Sequence, residues 1–121
     1  MTEYLIAFNQ EWVPEYTDEE FHRIGAATRA LVAEMRAAGV LVFAGGLDDA
    51  APVFSVDAAG GTPLYTDGPY IETKEYLGGF TVVDVADEEA ARLWAGRIAT
   101  ACAWPQQVHR FRGRAERPGS S

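Results

Sequence analysis

The sequence predicts a single α+β domain, and three observations support this prediction. Two amphipathic stretches alternate with short runs of β-branched and apolar residues. These runs lie on both sides of each amphipathic stretch, which gives the order strand, helix, strand twice. Nearly half of the 121 residues are apolar, which is enough to bury one core without disulfide support. We expect the domain to span residues 1–113 and to be followed by a flexible tail, 114–121.

The first strand and helix are predicted from local patterns. Residues 4–8 are largely apolar on both faces, which suits a central strand. After a loop that contains Pro14, Thr17 and Glu20 form a capping-box pattern that opens a helix. Gly39 ends this helix, because glycine readily takes the left-handed conformation. The helix carries one apolar stripe at spacings of three and four: Phe21, Ile24, Thr28, Leu31, Met35 and Ala38.

The other elements follow from apolar and β-branched clusters between turn residues. Further strands are predicted at residues 40–44, 52–56, 62–66, 80–85 and 107–112. The strands at 52–56 and 62–66 form a hairpin, and Asp87 caps a second helix. The buried stripe of that helix is Ala91, Trp94, Ala95, Ile98 and Cys102. Together these elements predict a ferredoxin-like βαββαβ fold with an antiparallel sheet and a hairpin insert.

This topology places both helices on one face of the sheet and leaves the other face uncovered. The uncovered face would present part of the apolar residues of the first, second and fourth predicted strands to solvent. A large exposed apolar patch usually marks an interface. The sequence therefore predicts a homodimer that packs sheet against sheet.

Composition excludes several classes of partner. The net charge of −8 repels nucleic-acid backbones and anionic membrane surfaces. No run approaches the roughly 20 apolar residues of a membrane span, and residues 1–4 lack the basic segment of a signal peptide. The single cysteine, Cys102, permits no intrachain disulfide. We therefore expect a cytoplasmic protein with no nucleic-acid or membrane partner.

Residues 66–80, with the sequence TDGPYIETKEYLGGF, form the most specific motif of the chain. This segment, here called the signature, resembles that of the DGPF branch of the YciI-related (YCII) family. The family signature has a D-G-P-F turn, then E-T-K-E, then L-G-G-F leading into a strand. Tyr70 stands where the family usually has phenylalanine. The resemblance extends over most of the chain, from Tyr4 to about Arg112.

The resemblance implies a dimeric α+β barrel and leaves the activity open. A related branch includes a lyase that removes halide from a chlorinated hydroxyquinol, and other members accompany extracytoplasmic-function sigma factors. The YciI branch proper has been interpreted as enzymatic through a His-Asp pair. Its histidine would fall near Thr28 in this chain, whereas His22 lies earlier on the same helix. The family's last strand also tends to carry glutamate where this chain has Gln107.

The acidic cluster of the signature is the first candidate for catalysis. Asp67 and Glu72 lie close to Lys74 around a constrained turn. A carboxylate desolvated there would be a general base, and Lys74 would hold a substrate anion. The alternative is structural, because Asp67 would accept backbone N–H bonds in its own turn and Glu72 would pair with Lys74.

His109 is the second catalytic candidate, because histidine suits proton transfer near neutral pH. It would pair with Asp84 or Asp67 if it points into the barrel, and with water if it lies at a strand edge. Trp12 and Tyr70 are candidates to wall a pocket for a flat organic ligand, and their alternative role is to anchor loops.

Other sites find little support in the sequence. Two separated histidines and one cysteine give no metal-ligand spacing, so we expect no metal and no cofactor. Cys102 lies on the buried stripe of the second helix and is interpreted as core packing.

Three hypotheses about function follow from these observations. The first is a cofactor-independent enzyme with lyase- or isomerase-like acid-base chemistry, in a cleft between the signature loop and the sheet. The second is a non-catalytic module that binds a small molecule or a protein such as a sigma factor. The third is that the signature is structural, with Gly78 and Gly79 allowing close approach of strands.

Overall fold

The computed structural model describes residues 1–69 and 77–113 and has the predicted α+β architecture. The strands are β1 (Thr2–Asn9), β2 (Leu41–Gly46), β3 (Phe54–Asp57), β4 (Leu64–Asp67), β5 (Leu77–Val85) and β6 (Gln107–Arg110). The helices are α1 (Asp18–Ala37) and α2 (Glu88–Cys102), and a 3₁₀ turn spans Gln10–Trp12. The predicted tail and residues 70–76 of the signature lie outside the described residues. Neither described helix is long and apolar enough to cross a membrane.

Four strands form one antiparallel sheet in the order β2-β5-β1-β6, while β3 and β4 form a separate two-stranded sheet. In this arrangement β1 pairs with β5 on one side, where Tyr4 faces Val83, and with β6 on the other, where Tyr4 faces Arg110. With the hairpin set aside, this is the strand order of the ferredoxin-like fold. The predicted topology and the central position of the first strand are confirmed.

The hydrophobic core lies between this sheet and the two helices. Side chains alternate along a strand, so Ile6 and Val83 face the helices while Leu5 faces the opposite side. Ile6 and Val83 are fully buried and pack in one cluster with Met35 of α1 and Ile98 of α2. The apolar stripes of both helices therefore face the sheet, as the spacing of their apolar residues predicts.

The helix ends have the predicted caps. Thr17 Oγ1 accepts the Glu20 N–H at 3.1 Å, and a Glu20 carboxylate oxygen accepts the Thr17 N–H at 3.0 Å. The bond from the Thr17 backbone N–H lowers the pKa of Glu20, because it stabilises the ionised carboxylate. Gly39 has φ +73° after α1, as expected of a helix stop. Asp87 accepts the Ala90 N–H at 2.9 Å and so opens α2.

The largest difference from the predicted boundaries concerns β5, which begins at Leu77 and not at residue 80. Gly78 and Gly79 are poor strand formers. In the sheet, however, Gly79 lies opposite Phe8 of β1 and opposite Gly46 of β2. Pairing with β1 and β2 extends β5 through Gly78 and Gly79, although glycine disfavours the strand conformation.

The β3–β4 hairpin exposes apolar side chains. Phe54, Leu64 and Tyr65 are 65%, 66% and 70% exposed. An isolated two-stranded hairpin is marginally stable in water. Contact with a further protein surface would therefore stabilise the hairpin, because it would cover the exposed apolar side chains.

Candidate functional site

A cleft of about 670 Å³ lies between α1 and the sheet and is closed at one end by the residues that follow α2. We call it the helix–sheet cleft. Its apolar walls come from the sheet, α1 and α2, and they include Phe8, Ile24, Met35, Phe80 and Ile98.

The cleft exists because the apolar stripe of α1 is only partly packed. Leu31 and Met35, in the second half of the helix, are buried in the core. Ile24 and Thr28 are half-buried, and Phe21 is 40% exposed, although all three belong to the same stripe. The first half of the stripe thus lines the cleft and does not pack fully against the sheet.

Thr28 and Cys102 bring polar atoms into this apolar wall. The Thr28 hydroxyl donates to the Ile24 carbonyl oxygen at 2.8 Å and lies 3.9 Å from the Cys102 sulfur. Burial raises the pKa of the Cys102 thiol, because the thiolate is disfavoured away from water. The thiol therefore stays neutral at physiological pH, and Cys102 packs in the core as predicted.

Within the part of the chain that the structure describes, two nitrogen donors at the end of the cleft have no hydrogen-bond partner. Trp104 Nε1 and Gln106 Nε2 are both buried, and both residues line the cavity. The Trp104 ring packs against Phe8, with 5.3 Å between ring centroids. Buried donors are normally satisfied, so an unpartnered pair beside a cavity suggests a ligand that supplies the acceptor.

The turn after α2 brings these donors to the cleft. Ala103 ends the helix in the left-handed conformation, at φ 63°, which redirects the chain toward the sheet. Its carbonyl oxygen accepts a 2.6 Å bond from the Tyr16 hydroxyl. This bond ties the loop after β1 to the turn that carries Trp104.

A second, smaller cavity of about 230 Å³ lies on the sheet face opposite the helices. We call it the open-face pocket. Trp12, Leu77, Gln107 and His109 are among its lining residues. The side-chain nitrogens Gln107 Nε2 and His109 Nε2 are 2.8 Å apart, so the amide fixes the orientation of the imidazole. Trp12 is held by the 3₁₀ turn, in which the Glu11 N–H donates to the Asn9 side-chain oxygen.

The structure thus brings two of the predicted site residues, Trp12 and His109, into one pocket. Asp67 lies elsewhere, exposed at the end of β4 opposite Phe54, and it lines neither cavity. Asp84 does not line the open-face pocket either, because it lies opposite Glu3, at the other end of β5 from Leu77. Tyr70, Glu72 and Lys74 lie outside the described part of the chain, so their catalytic and binding roles stay predictions.

The polar residues of the helix–sheet cleft were not predicted as site residues from the sequence. Thr28 was predicted only as a member of the α1 stripe and as the position of a family histidine, and no role was predicted for Trp104 or Gln106. A tryptophan directly after a helix, followed by a proline, was a usable signal of a chain reversal against the core. Within residues 1–69 and 77–113, no group of three His, Cys, Asp or Glu side chains is placed to hold a metal ion.

These features define a small α+β protein with an apolar cleft between its helices and an antiparallel sheet. The model of the YCII-related domain matches residues 4–103. The chain therefore belongs to the YCII-related family, as the signature indicated. No curated protein matches the sequence. The assignment to the DGPF branch stays a prediction.

Proposed function

We propose that the protein binds a small, largely apolar organic molecule that carries an oxygen acceptor, in the helix–sheet cleft. One observation carries this proposal: an apolar cleft of about 670 Å³ is lined by two residues with buried, unpartnered donors. Ligand sites in proteins typically measure about 300–1,000 Å³ and combine apolar walls with a few polar groups. The helix–sheet cleft has both properties.

The energetics of the two donors support a bound acceptor. A buried donor without a partner costs about 1–3 kcal/mol relative to one that is hydrogen-bonded. A ligand oxygen that accepts from Trp104 Nε1 or Gln106 Nε2 would remove that cost on binding. The same donors would discriminate against an analogue that lacks the oxygen.

Among the described residues, the cleft is equipped for binding rather than for catalysis. Its described lining contains no carboxylate and no imidazole, and the Cys102 thiol is held neutral by burial. Arginine, amide, indole and hydroxyl groups bind and orient a ligand, but they are poor general bases. These side chains favour a small-molecule-binding role for the cleft itself.

Filling the cleft should weaken binding. In Thr28→Phe, a phenyl group would occupy space beside Ile24 and Cys102, so the apolar fluorophore N-phenyl-1-naphthylamine should bind about tenfold more weakly, a loss of about 1.4 kcal/mol. Affinity is measured by fluorescence titration, and a thermal melt establishes that each variant is folded.

Thr100→Phe is the matched control for this experiment. Thr100 lies on α2, and its hydroxyl bonds to the Gly96 carbonyl as that of Thr28 bonds to Ile24, but it does not line the cleft. Equal affinity of the fluorophore for folded Thr28→Phe and wild-type protein would remove the proposal.

Proton transfer by His109 in the open-face pocket is the second candidate function, and it retains the lyase- or isomerase-like enzyme as a hypothesis. The observation that favours it is the convergence of His109 and Trp12 on one pocket. The aromatic wall would hold a flat substrate while the imidazole moves a proton. A substrate whose turnover survives His109→Gln would remove this candidate.

A homodimer packed through the uncovered sheet face would enclose the open-face pocket. Phe43 is 54% exposed on that face, and Leu5 and Val82 are only half-buried there. Association would remove these side chains from water and would shield His109 at the same time. The exposed hairpin residues give a second apolar surface for the same association.

Chemical modification should report this enclosure. In the wild-type dimer, diethyl pyrocarbonate should modify the exposed His22 and spare His109, whereas Phe43→Asp should yield monomers in which both histidines react. Sedimentation gives the oligomeric state and mass spectrometry the modified residue. Leu93→Asp is the control, because Leu93 is 64% exposed on α2 and should leave the dimer intact. Rapid modification of His109 in a wild-type dimer would place the interface elsewhere.

A further inference from the structure

The charged residues that line the helix–sheet cleft are Arg29 and Arg36, both on α1. No described aspartate or glutamate is among the lining residues. The chain as a whole has 18 acidic and 10 basic residues and is therefore negatively charged. The described lining of the cleft, in contrast, is positively charged. Both arginines are exposed, which places their guanidinium groups at the solvent edge of the cleft.

Neither guanidinium is neutralised by a carboxylate within the described part of the chain. The ion pairs found there join Arg92 to Glu88 and Arg97 to Glu34. Arg29 and Arg36 take part in neither pair. Unpaired guanidinium groups beside an apolar cavity are suited to bind an anion, because their planar donors match a carboxylate or similar group.

The local structure of α1 supports this placement. Arg29 and Arg36 are seven residues apart, or about two helical turns, so both lie along the same side of the helix. Gly25, which also lines the cleft, leaves room for the Arg29 side chain. A Cβ at position 25 would lie 3.2 Å from Arg29 Nη1.

We propose that the ligand of the helix–sheet cleft is an organic anion. Its apolar body lies between α1 and the sheet, and its anionic group is held at the edge by Arg29 and Arg36. Its oxygen acceptor meets the donors of Trp104 and Gln106. This inference rests on the proposed function, since it specifies the ligand class of the same cleft.

Two fluorophores with nearly the same aromatic body test the charge preference. The anion is 1-anilinonaphthalene-8-sulfonate, and its uncharged counterpart is N-phenyl-1-naphthylamine, which lacks the sulfonate. In Arg29→Gln/Arg36→Gln the anion should bind about five- to tenfold more weakly, whereas the uncharged compound should change less than about twofold. Raising the salt from about 0.05 M to about 0.5 M should weaken only the anion, and only in protein that keeps both arginines.

Arg23→Gln is the matched control, because Arg23 lies on the same helix but does not line the cleft. It should leave both affinities unchanged. Amide chemical shifts of the wild-type protein should move at Thr28 and Ala101, two lining residues, when the anion is added. If the double variant fails to fold, the single variants Arg29→Gln and Arg36→Gln and the salt series on wild-type protein give the same comparison.

The outcomes separate the ligand class from the cleft. If Thr28→Phe weakens the binding of both fluorophores but the arginine variants do not weaken the anion selectively, the cleft is the binding site and the inference of an anionic ligand is wrong. If Thr28→Phe spares both, or wild-type protein binds neither, the proposed function falls and this inference falls with it. Selective weakening of the anion by the arginine variants, with weaker binding of both compounds in Thr28→Phe, supports both proposals.

Discussion

Met35→Ala is expected to lower the free energy of unfolding by about 2–5 kcal/mol. Met35 is 0% exposed and packs with Ile6, Val83 and Ile98, so it joins α1 to the sheet and to α2. Truncation removes the transfer free energy of the side chain and leaves a cavity that rigid strands fill poorly. Urea unfolding followed by circular dichroism measures the loss.

Leu93→Ala provides the comparison for this experiment. Leu93 lies on α2, where 64% of it is exposed, so its truncation should change the stability by less than about 0.5 kcal/mol. A Met35→Ala protein as stable as Leu93→Ala would mean that α1 does not depend on this contact. Because Met35 also lines the helix–sheet cleft, the result reports how firmly the wall of the cleft is fixed.

The fold was predictable from sequence because its signals are local. The capping box at Thr17, the stop at Gly39 and the cap at Asp87 each act over a few residues, and each is present in the structure. The apolar spacing of three and four gave the buried faces of both helices. Alternating strands and helices then left few topologies to consider.

The site was less predictable because it depends on distances between elements. The apolar stripe of α1 predicted a buried face, but periodicity does not say how far a helix lies from its sheet. Trp104 reaches the cleft through Ala103 in the left-handed conformation, which alanine rarely adopts. Trp104 followed by Pro105 signals a chain reversal, but no local pattern gives the left-handed conformation of Ala103 that sets its direction.

The signature also shows that local sequence does not give the position of a residue relative to a cavity. It attracted functional hypotheses because its residues are chemically specific, yet Asp67 lies on the hairpin and away from both cavities. Its glycines, in contrast, have an evident structural role at the described end of the segment. Gly78 and Gly79 are buried in β5, where the backbone of β2 and the ring of Phe8 approach them closely.

Gly79→Ala should therefore lower the free energy of unfolding by about 1–3 kcal/mol, as overpacking of a tight site does. A Cβ at position 79 would lie 2.9 Å from the Gly45 carbonyl oxygen, 2.9 Å from Gly46 Cα and 3.0 Å from a Phe8 ring carbon. The first two contacts are backbone atoms of β2, so the strand itself must move. At Gly78 the nearest contact is the Phe8 ring, at 2.5 Å, and a side chain gives way more easily than backbone.

The matched control is Gly46→Ala, because a Cβ at that position of the neighbouring strand meets nothing within 4 Å. Urea unfolding should rank Gly79→Ala as the least stable variant, Gly78→Ala as intermediate and Gly46→Ala as closest to wild type. Displacing β2 should also weaken the binding of N-phenyl-1-naphthylamine, since Gly45, Gly46 and Phe8 line the helix–sheet cleft. If Gly79→Ala matches Gly46→Ala in both measurements, close approach of the strands does not explain the glycine pair. If Gly79→Ala is unstable and binds weakly, the end of the signature acts by fixing the wall of the cleft.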